Sequence, residues 1–206
     1  MSSSPKNLVW CMRHGDTILD VSGRADGMLD LPLAEKGQSE VVRVLDSFLK
    51  PIPIACIYHS DLIRTRQTAH IIASGMPSDP DVEMATQARP WNLGALSGSQ
   101  KKSNRPIVKS LLADTSKAAP GGESYDSFCA RFDPWLQKMQ KDSRDGQLLL
   151  ILSGSNCRRI SELFFKDREI LNVSEAGLFL MFPANDGQWS AMVIDGHKTD
   201  DEDNNS

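Results

Sequence analysis

The hydrophobic and polar positions of the chain alternate between strand-like and helix-like patterns. Three nearly continuous apolar runs predict strands that are buried on both faces of a sheet, at residues 7–12, 54–58 and 147–152. Apolar residues at helical spacing predict amphipathic helices at residues 34–50, 61–74, 123–141 and 156–165. Strands that alternate with helices predict an α/β three-layer sandwich, in which helices cover both faces of a mostly parallel central sheet.

The remaining segments predict shorter elements and one long irregular region. A short strand is expected around Val82, and the runs 178–182 and 189–194 predict a final hairpin with its turn at 185–187. Residues 86–122 contain several prolines and glycines, which predicts an excursion over the functional site. We therefore expect a single domain over residues 1–197 and a disordered acidic tail at 198–206.

The composition is that of an ordinary globular protein of 206 residues with a net charge of −4. A protein with this net negative charge is not expected to have the broad electropositive surface that nucleic-acid binding requires, so no nucleic-acid partner is expected. No apolar run approaches the length of a membrane span, and the first residues lack the apolar core of a signal peptide, which predicts a cytoplasmic protein with no membrane partner. The cysteines and histidines show no metal-ligand spacing, so neither a metal nor another cofactor is predicted.

Residues able to bind phosphate stand where two of the predicted strands end. Arg13-His14-Gly15 follows the first strand and Ser153-Gly154-Ser155 follows the strand at 147–152, while Arg64 lies in the first turn of a helix. If the two strands are neighbours, their carboxyl ends meet at the sheet edge where open α/β sheets hold ligands. Guanidinium groups and helix N-termini bind a phosphomonoester, and an imidazole aligned with the phosphorus can act as a nucleophile. The pattern therefore predicts a phosphoryl-transfer site.

These residues resemble the motifs of the histidine phosphatase superfamily, which includes the cofactor-dependent phosphoglycerate mutases. The signature Arg-His-Gly-x-Thr is present at residues 13–17. The other similar segments are a Pro-Leu-x-x-x-Gly pattern within 31–38, the arginine-bearing segment 60–69 and a Gly-Gly-Glu-Ser pattern within 120–124. The motifs occur in the order of the family and span residues 8 to about 182.

The resemblance implies a phosphoglycerate mutase-like fold and a phosphatase that acts through a phosphohistidine. It makes His14 the phosphorylated nucleophile and Arg13 and Arg64 ligands of the phosphate, with further contacts from Thr17 and Ser155. The implied partner is a small phosphorylated molecule as substrate. The oligomeric state stays open, a homodimer included.

The chain departs from the family pattern at two catalytic positions. Family members carry a second histidine where this chain has Gly154, and its imidazole binds a phosphate oxygen. Loss of one such donor costs on the order of 3 kcal/mol, or roughly two to three decades in rate. A glutamate that acts as general acid in many members falls at Pro90, which leaves Glu123, Asp16 and Glu83 as candidates, in that order.

Four residues in or near the excursion are candidates for contact with the rest of the substrate: Arg89, Asn92, Lys102 and Arg105. A structural salt bridge explains Arg89 equally well, and a solvated surface explains the basic group at residues 101–109. Glu123 could likewise serve only to stabilise the N-terminus of the helix that follows it.

Three functions are compatible with this sequence. The first is a phosphomonoester phosphatase that acts through His14 and is impaired by Gly154, whether that glycine is natural or an introduced substitution. The second is a weakly catalytic pseudophosphatase that binds phosphorylated ligands or partners. A phosphoglycerate-type mutase is the third and least favoured, because it must also exclude water from a phosphorylated enzyme.

Overall fold

Strands and helices alternate through the described part of the chain, residues 7–164, 173–184 and 186–195, in the computed structural model. The strands are β1 (Val9–Arg13), β2 (Ile54–His59), β3 (Asp81–Met84), β4 (Gln147–Leu152), β5 (Leu178–Pro183) and β6 (Trp189–Asp195). The helices are α1 (Ile18–Val21), α2 (Glu35–Val44), α3 (Ile63–Gly75), α4 (Lys101–Ala113), α5 (Tyr125–Asp142) and α6 (Gly154–Phe164). Within those ranges, no helix combines the length and the apolar character needed to cross a membrane.

One mixed sheet forms the centre of the molecule, with the strand order β3-β2-β4-β1-β5-β6. The four strands from β3 to β1 run parallel to one another, whereas β5 and β6 pair antiparallel. The sheet is therefore mostly parallel, as the sequence pattern predicts, and its antiparallel part is the C-terminal hairpin. The central position of β1 and β4 explains why their apolar runs are continuous.

Side chains of the central strands alternate between two hydrophobic cores, one on each face of the sheet. In β1, Val9 and Cys11 join the core built with α5 and α6, whereas Trp10 and Met12 join the core built with α2 and α3. This alternation follows from the two-residue period of an extended strand. Helices thus cover both faces, which confirms the predicted three-layer arrangement.

The main correction to the predicted elements is α4, a 13-residue helix inside the segment expected to be irregular. Pro106 lies within this helix and cannot donate a backbone hydrogen bond, which is why the helical pattern is obscured in the sequence. Leu111 is nevertheless buried in the core that includes α5, and Val108 and Leu112 are partly buried against it. Burial of this face outweighs the missing bond, so the excursion is only partly irregular.

Most predicted boundaries are close to the observed ones, and β4 coincides with its prediction. The helix predicted over 34–50 consists of α2 followed by a π-helical turn at Leu45–Leu49. The last helix begins at Gly154, two residues earlier than expected. The predicted turn residue at 185 and the acidic tail at 198–206 lie outside the described residues.

Candidate active site

The two strand ends singled out in the sequence meet at one edge of the sheet. β1 and β4 are parallel neighbours with Arg13 opposite Leu152, and the backbone N–H of His14 donates to the carbonyl of Leu152 across 2.9 Å. His14 therefore lies beside the start of α6, and Arg64 approaches from the first turn of α3. The predicted convergence of these segments is confirmed.

Two motif glycines fix the backbone behind His14. A Cβ placed on Gly15 would collide with the carbonyl of Gly37 in α2, and a Cβ placed on Gly37 would collide with the backbone of Asp16. Neither site tolerates a side chain, because the atoms in the way belong to the main chain. The backbone contact between Gly15 and Gly37 holds the loop after β1 against α2 and so sets the position of His14.

The hydrogen bonds of His14 define its tautomer. Arg64 donates from Nε to the Nε2 of His14 at 3.1 Å, and a guanidinium N–H can only donate, so Nε2 must be unprotonated. The proton therefore resides on Nδ1, which lies 2.9 Å from the carbonyl oxygen of Gly15 and donates to it. Burial and the charge of Arg64 lower the pKa of His14 to about 4, so the imidazole is neutral near pH 7 with a lone pair on Nε2.

Arg64 is 1% exposed and is held by the loop after β1. Its two terminal nitrogens donate to the carbonyls of Leu29 and Gly27, at 2.7 and 2.8 Å. Because neutral carbonyls fix the guanidinium without neutralising it, its positive charge stays beside His14. The predicted partnership between Arg64 and His14 is thus direct, and Arg64 also orients the imidazole.

Arg13 and Gly154 face each other across the strand ends. Arg13 donates to the carbonyl of Val173 at 2.9 Å and pairs with the carboxylate of Glu175, while its buried Nε has no partner in the described residues. A Cβ on Gly154 would lie 3.4 Å from Cζ of Arg13, which is ordinary contact. The neighbouring Ser153 Oγ is likewise buried without a partner within the described ranges. The site therefore accepts a Cβ at position 154 without a collision.

These groups surround a small pocket of about 130 Å³, referred to below as the His14 pocket. The lining residues are Arg13, His14, Asp20, Ala25, Asp26, Gly27, Arg64, Pro90, Trp91, Leu93, Lys101, Ser153, Gly154 and Ser155. The pocket lies between the strand ends, the loop after β1 and the segment that leads to α4. It is small and several charged side chains line it, which suits a phosphate-sized group.

A family model for the histidine phosphatase superfamily (branch 1) matches residues 9–173, the part of the chain that contains the His14 pocket. The chain belongs to this superfamily. Similar curated proteins include the phosphoglycerate mutase-like protein 4 of Arabidopsis thaliana, which is 27% identical over 192 residues, 88% of this chain and 82% of that protein. The metal-independent phosphoserine phosphatase of the same plant is 26% identical over 155 residues, 72% of this chain and 65% of that protein.

Solved structures of histidine phosphatase relatives share the fold. A phosphoglycerate mutase from Bacillus anthracis superposes with a TM-score of 0.77 at 23% identity, covering 91% of this chain and 92% of that one. A mycobacterial glucosyl-3-phosphoglycerate phosphatase in complex with VO3 superposes with a TM-score of 0.73 at 21% identity, covering 94% and 100%. The phosphoglycerate mutase-like fold implied by the motifs is therefore confirmed.

In this member of the histidine phosphatase superfamily, every cation that lines the pocket has a carboxylate close by. The pairs are Arg13 with Glu175, Lys101 with Asp20 at 2.8 Å and with Glu175 at 3.2 Å, and Arg64 with Asp26 at 3.5 Å. Burial alone would raise the pKa of Glu175, but Arg13 and Lys101 hold it below its usual value. The pocket therefore contains its own counter-charges.

Asp26 is the carboxylate of the pocket that is easiest to protonate. Its Oδ1 accepts a hydrogen bond from Thr17 at 2.7 Å, and its buried Oδ2 has no hydrogen-bond partner in the described residues. Burial and the adjacent charge of Asp20 raise the pKa of Asp26 to about 6. Asp26 can therefore carry a proton close to neutral pH.

Ser155 and Thr17, the two predicted auxiliary phosphate ligands, differ in position. Ser155 lines the pocket, where its Oγ accepts from the backbone N–H of Trp91 at 2.9 Å. Thr17 is fully buried outside the lining and caps α1, with its Oγ accepting from two backbone N–H groups of that helix. Through its bond to Asp26, Thr17 positions a pocket residue instead of facing the pocket itself.

None of the three predicted general acids lines the pocket. Arg131 donates to Oε1 of Glu123 at 2.7 Å, and the backbone N–H of Asn92 donates to the same oxygen at 2.9 Å. Asp16 accepts from Lys36 at 2.7 Å, and Glu83 lies exposed on the edge strand β3. Glu123 thus makes structural contacts with Arg131 and with the backbone of Asn92, while Ser124 caps the helix that follows.

The four candidate substrate contacts also lie outside the pocket lining: Arg89, Asn92, Lys102 and Arg105. Arg89 forms a two-pronged ion pair with Asp61, with its Nε 2.7 Å from Oδ1. Asn92 closes its own turn by accepting from the N–H of Gly94 at 3.0 Å. The salt-bridge interpretation of Arg89 is therefore the one that the geometry supports.

Sequence reasoning missed the charged residues that balance the pocket, namely Asp20, Asp26, Lys101 and Glu175. Lys101 belonged to the recognised basic group, but nothing in the sequence separated it from its exposed neighbours. The carboxylates sit in loop or first-turn positions with no periodic pattern. His14, Asp20 and Asp26 lie close enough together to hold a cation. The adjacent Arg64 and Lys101 already balance the charge of these carboxylates.

Proposed function

We propose that this protein is a phosphomonoester phosphatase that transfers the phosphoryl group to Nε2 of His14, and that glycine at position 154 slows the reaction. The observation that carries the proposal is the state of His14: neutral, with Nδ1–H fixed by Gly15 and the Nε2 lone pair beside Arg64. An imidazole in this state can attack phosphorus once the Arg64 N–H turns from Nε2 to an oxygen of the incoming phosphoryl group.

The chemical steps follow from these positions. Nε2 of His14 attacks phosphorus, an N–P bond forms and the bond to the leaving oxygen breaks, while Arg13 and Arg64 stabilise the charge on the equatorial oxygens. The leaving oxygen takes a proton, for which Asp26 is the pocket carboxylate best suited by its raised pKa. Water then attacks phosphorus and gives a proton to Asp26, and the N–P bond breaks, which releases phosphate and restores neutral His14. The substrate is a small phosphorylated molecule, and we place the reaction in the cytoplasm.

Gly154 removes one donor from this arrangement. Its N–H remains at the start of α6, but no side chain reaches into the pocket from position 154. Nearby, the buried Ser153 Oγ and Arg13 Nε have no partner among the described residues, as expected for groups arranged around a missing contact. Attack on phosphorus therefore remains feasible, but the transition state is less well stabilised.

A pseudophosphatase that binds phosphorylated ligands is the second candidate. Gly154 favours it, and so does the pairing of all three pocket cations with carboxylates, because paired cations stabilise added negative charge less than free ones. The two candidates share a ligand and differ only in turnover.

The deciding experiment detects phosphohistidine. The protein is incubated with a radiolabelled phosphoramidate or acyl phosphate, quenched at alkaline pH and analysed by mass spectrometry. Phosphorylation at His14 that disappears in His14→Asn supports the phosphatase. Saturable ligand binding without any phosphorylated His14 supports the pseudophosphatase, and the absence of both contradicts a phosphate site.

A further inference from the structure

Apolar side chains form one part of the His14 pocket. Ala25, in the loop after β1, and Leu93 line the pocket and are partly exposed, while Pro90 and Trp91 line it and are buried. These four residues are called the apolar wall below. A phosphoryl group is bound by cations and N–H donors and makes no use of such side chains. The apolar wall is therefore free to contact the organic part of a substrate.

The main hydrogen-bonding groups of the apolar wall already have partners in the protein. The backbone of Ala25 exchanges two hydrogen bonds with residues 98–99, at 2.6 and 2.9 Å. The backbone N–H of Trp91 donates to Oγ of Ser155, and its indole N–H donates to the carbonyl of Glu123, both at 2.9 Å. A substrate rich in hydroxyl groups would give up hydrogen bonds to water for apolar contact at this wall, which is unfavourable.

The charges of the pocket disfavour a second anionic group on the substrate. Among the described lining residues, the cations are Arg13, Arg64 and Lys101, and the proposed phosphoryl group needs them. Lys101 also lies 2.8 Å from Asp20 and 3.2 Å from Glu175. A substrate carboxylate would have to take Lys101 from Asp20, and the charge of Asp20 would then stay in the pocket without its partner.

We propose that the His14 pocket selects phosphomonoesters with an uncharged, apolar organic part, because Asp20 excludes a second anionic group and Leu93 contacts the carbon chain. This inference rests on the proposed phosphatase function, since it names the class of substrate for the same site. The pocket is only about 130 Å³, so the first carbon atoms beyond the ester oxygen lie close to its lining. Branched alkyl and aryl phosphates belong to this class, whereas phosphorylated carboxylic acids do not.

Calorimetric titration of the full chain with three phosphonates, which cannot be hydrolysed, tests this proposal. 4-Methylpentylphosphonate and 4-phosphonobutanoate have nearly the same shape, but the first ends in an isopropyl group and the second in a carboxylate. Methylphosphonate lacks the chain. The isopropyl ligand should bind at least about tenfold more tightly than the carboxylate ligand, because it brings no second negative charge. It should also bind at least about tenfold more tightly than methylphosphonate, because it buries several CH₂ groups.

Two substitutions test the residues named in the proposal. Asp20→Asn should narrow the affinity ratio between the isopropyl and carboxylate ligands at least about threefold, because it removes a negative charge from the pocket. Leu93→Ala should narrow the ratio between the isopropyl ligand and methylphosphonate at least about threefold, because it removes apolar contact. Asp61→Asn and Leu96→Ala are the matched controls, since neither residue lines the pocket, and both ratios should stay unchanged in them.

Three results would overturn the proposal. The first is equal or tighter binding of 4-phosphonobutanoate, which would assign a substrate carboxylate to the basic residues of α4. The second is an affinity that does not rise from methylphosphonate to the isopropyl ligand. The third is a pair of ratios that neither Asp20→Asn nor Leu93→Ala alters.

Failure of the phosphatase function would give a different result. The binding preference would persist and support the proposed ligand class, but 3-methylbutyl phosphate would not be hydrolysed and His14 would not be phosphorylated. Conversely, hydrolysis of 3-methylbutyl phosphate and of 3-phosphonooxypropanoate with equal kcat/KM would support the phosphatase and contradict the proposed substrate class.

Discussion

Arg64 donates a hydrogen bond to Nε2 of His14, the nitrogen that we propose attacks phosphorus, across 3.1 Å. The same contact that orients the imidazole thus requires that Nε2 carry no proton. Because a buried positive charge opposes a second one nearby, Arg64 also contributes to the low pKa of His14, after burial itself.

We expect Arg64→Gln to raise the pKa of His14 from about 4 toward its ordinary value, because a neutral amide replaces the charge. The measurement is an NMR titration of the His14 ring protons. Arg89→Gln is the control, since Arg89 pairs with Asp61 outside the pocket and should leave the titration unchanged. An unchanged pKa in Arg64→Gln would mean that burial alone keeps the imidazole neutral.

Gly154→His should raise the hydrolysis of a generic phosphomonoester by at least about two decades, because an imidazole restores a donor to the transition state. The new Cβ fits without collision, 3.4 Å from Arg13. Gly154→Ala is the matched control and should leave the rate at its starting level. Steady-state kinetics with p-nitrophenyl phosphate measure both. A folded Gly154→His protein that stays at background would contradict the proposed phosphatase.

Asp26→Asn, introduced together with Gly154→His, tests the source of the leaving-group proton. The rate with an alkyl phosphate should fall by about two decades, since an alkoxide needs a proton to leave. The rate with p-nitrophenyl phosphate should change little, because its phenolate leaves unaided. Equal losses for both substrates would argue that Asp26 acts only through the charge of the pocket.

Sulfate should bind more tightly at pH 5 than at pH 7.5, by about tenfold for the loss of one nearby charge. The pKa of Asp26 is about 6, so at pH 5 this carboxyl is neutral and no longer offsets Arg64. His14 stays neutral until about pH 4, and Glu175, with its lowered pKa, stays ionised. Sulfate itself remains a dianion over this range.

Calorimetry of sulfate binding at several pH values provides the measurement. In Asp26→Asn the affinity should be high at both ends of the range and almost independent of pH. A pH dependence that survives this substitution would assign the titration to another group.

Gly37→Ala should destabilise the fold by about 1–3 kcal/mol, because the added methyl group meets the backbone of Asp16. Gly154→Ala provides the comparison, since the same methyl group there meets only ordinary contacts. Urea unfolding followed by circular dichroism measures both. Equal stability of the two variants would show that the loop at Gly15 can move away from α2 without penalty.

Much of the fold could be predicted because its central elements have strong local patterns. The continuous apolar runs of β1 and β4 are typical of strands buried on two faces, and their ends brought Arg13, His14 and Gly154 together as expected. The glycines at 15 and 37 also belonged to recognised motifs. The loop at Gly15 and Asp16 lies so close to the backbone of α2 at Gly37 that neither glycine position has space for a Cβ.

The elements that escaped prediction depend on contacts that no local pattern records. Pro106 concealed α4, whose stability comes from burying Leu111 and its neighbours. Glu123 looked like an acid beside the site, but Arg131, eight residues later, holds it in place. Asp20 and Lys101 are 81 residues apart and form a pair only in the folded chain. A single sequence does not show which polar loop residues will meet.

The internal ion pairs of the His14 pocket make ligand binding an exchange of counterions. A phosphate, the ligand that we propose for this pocket, must displace the carboxylates paired with Arg13 and Lys101, so its affinity reflects a difference between two sets of contacts. Because the pocket is close to electrically balanced, it exerts little long-range pull on anions, and association rates should depend weakly on ionic strength. The pocket then selects ligands that can replace several of its internal ion pairs at once.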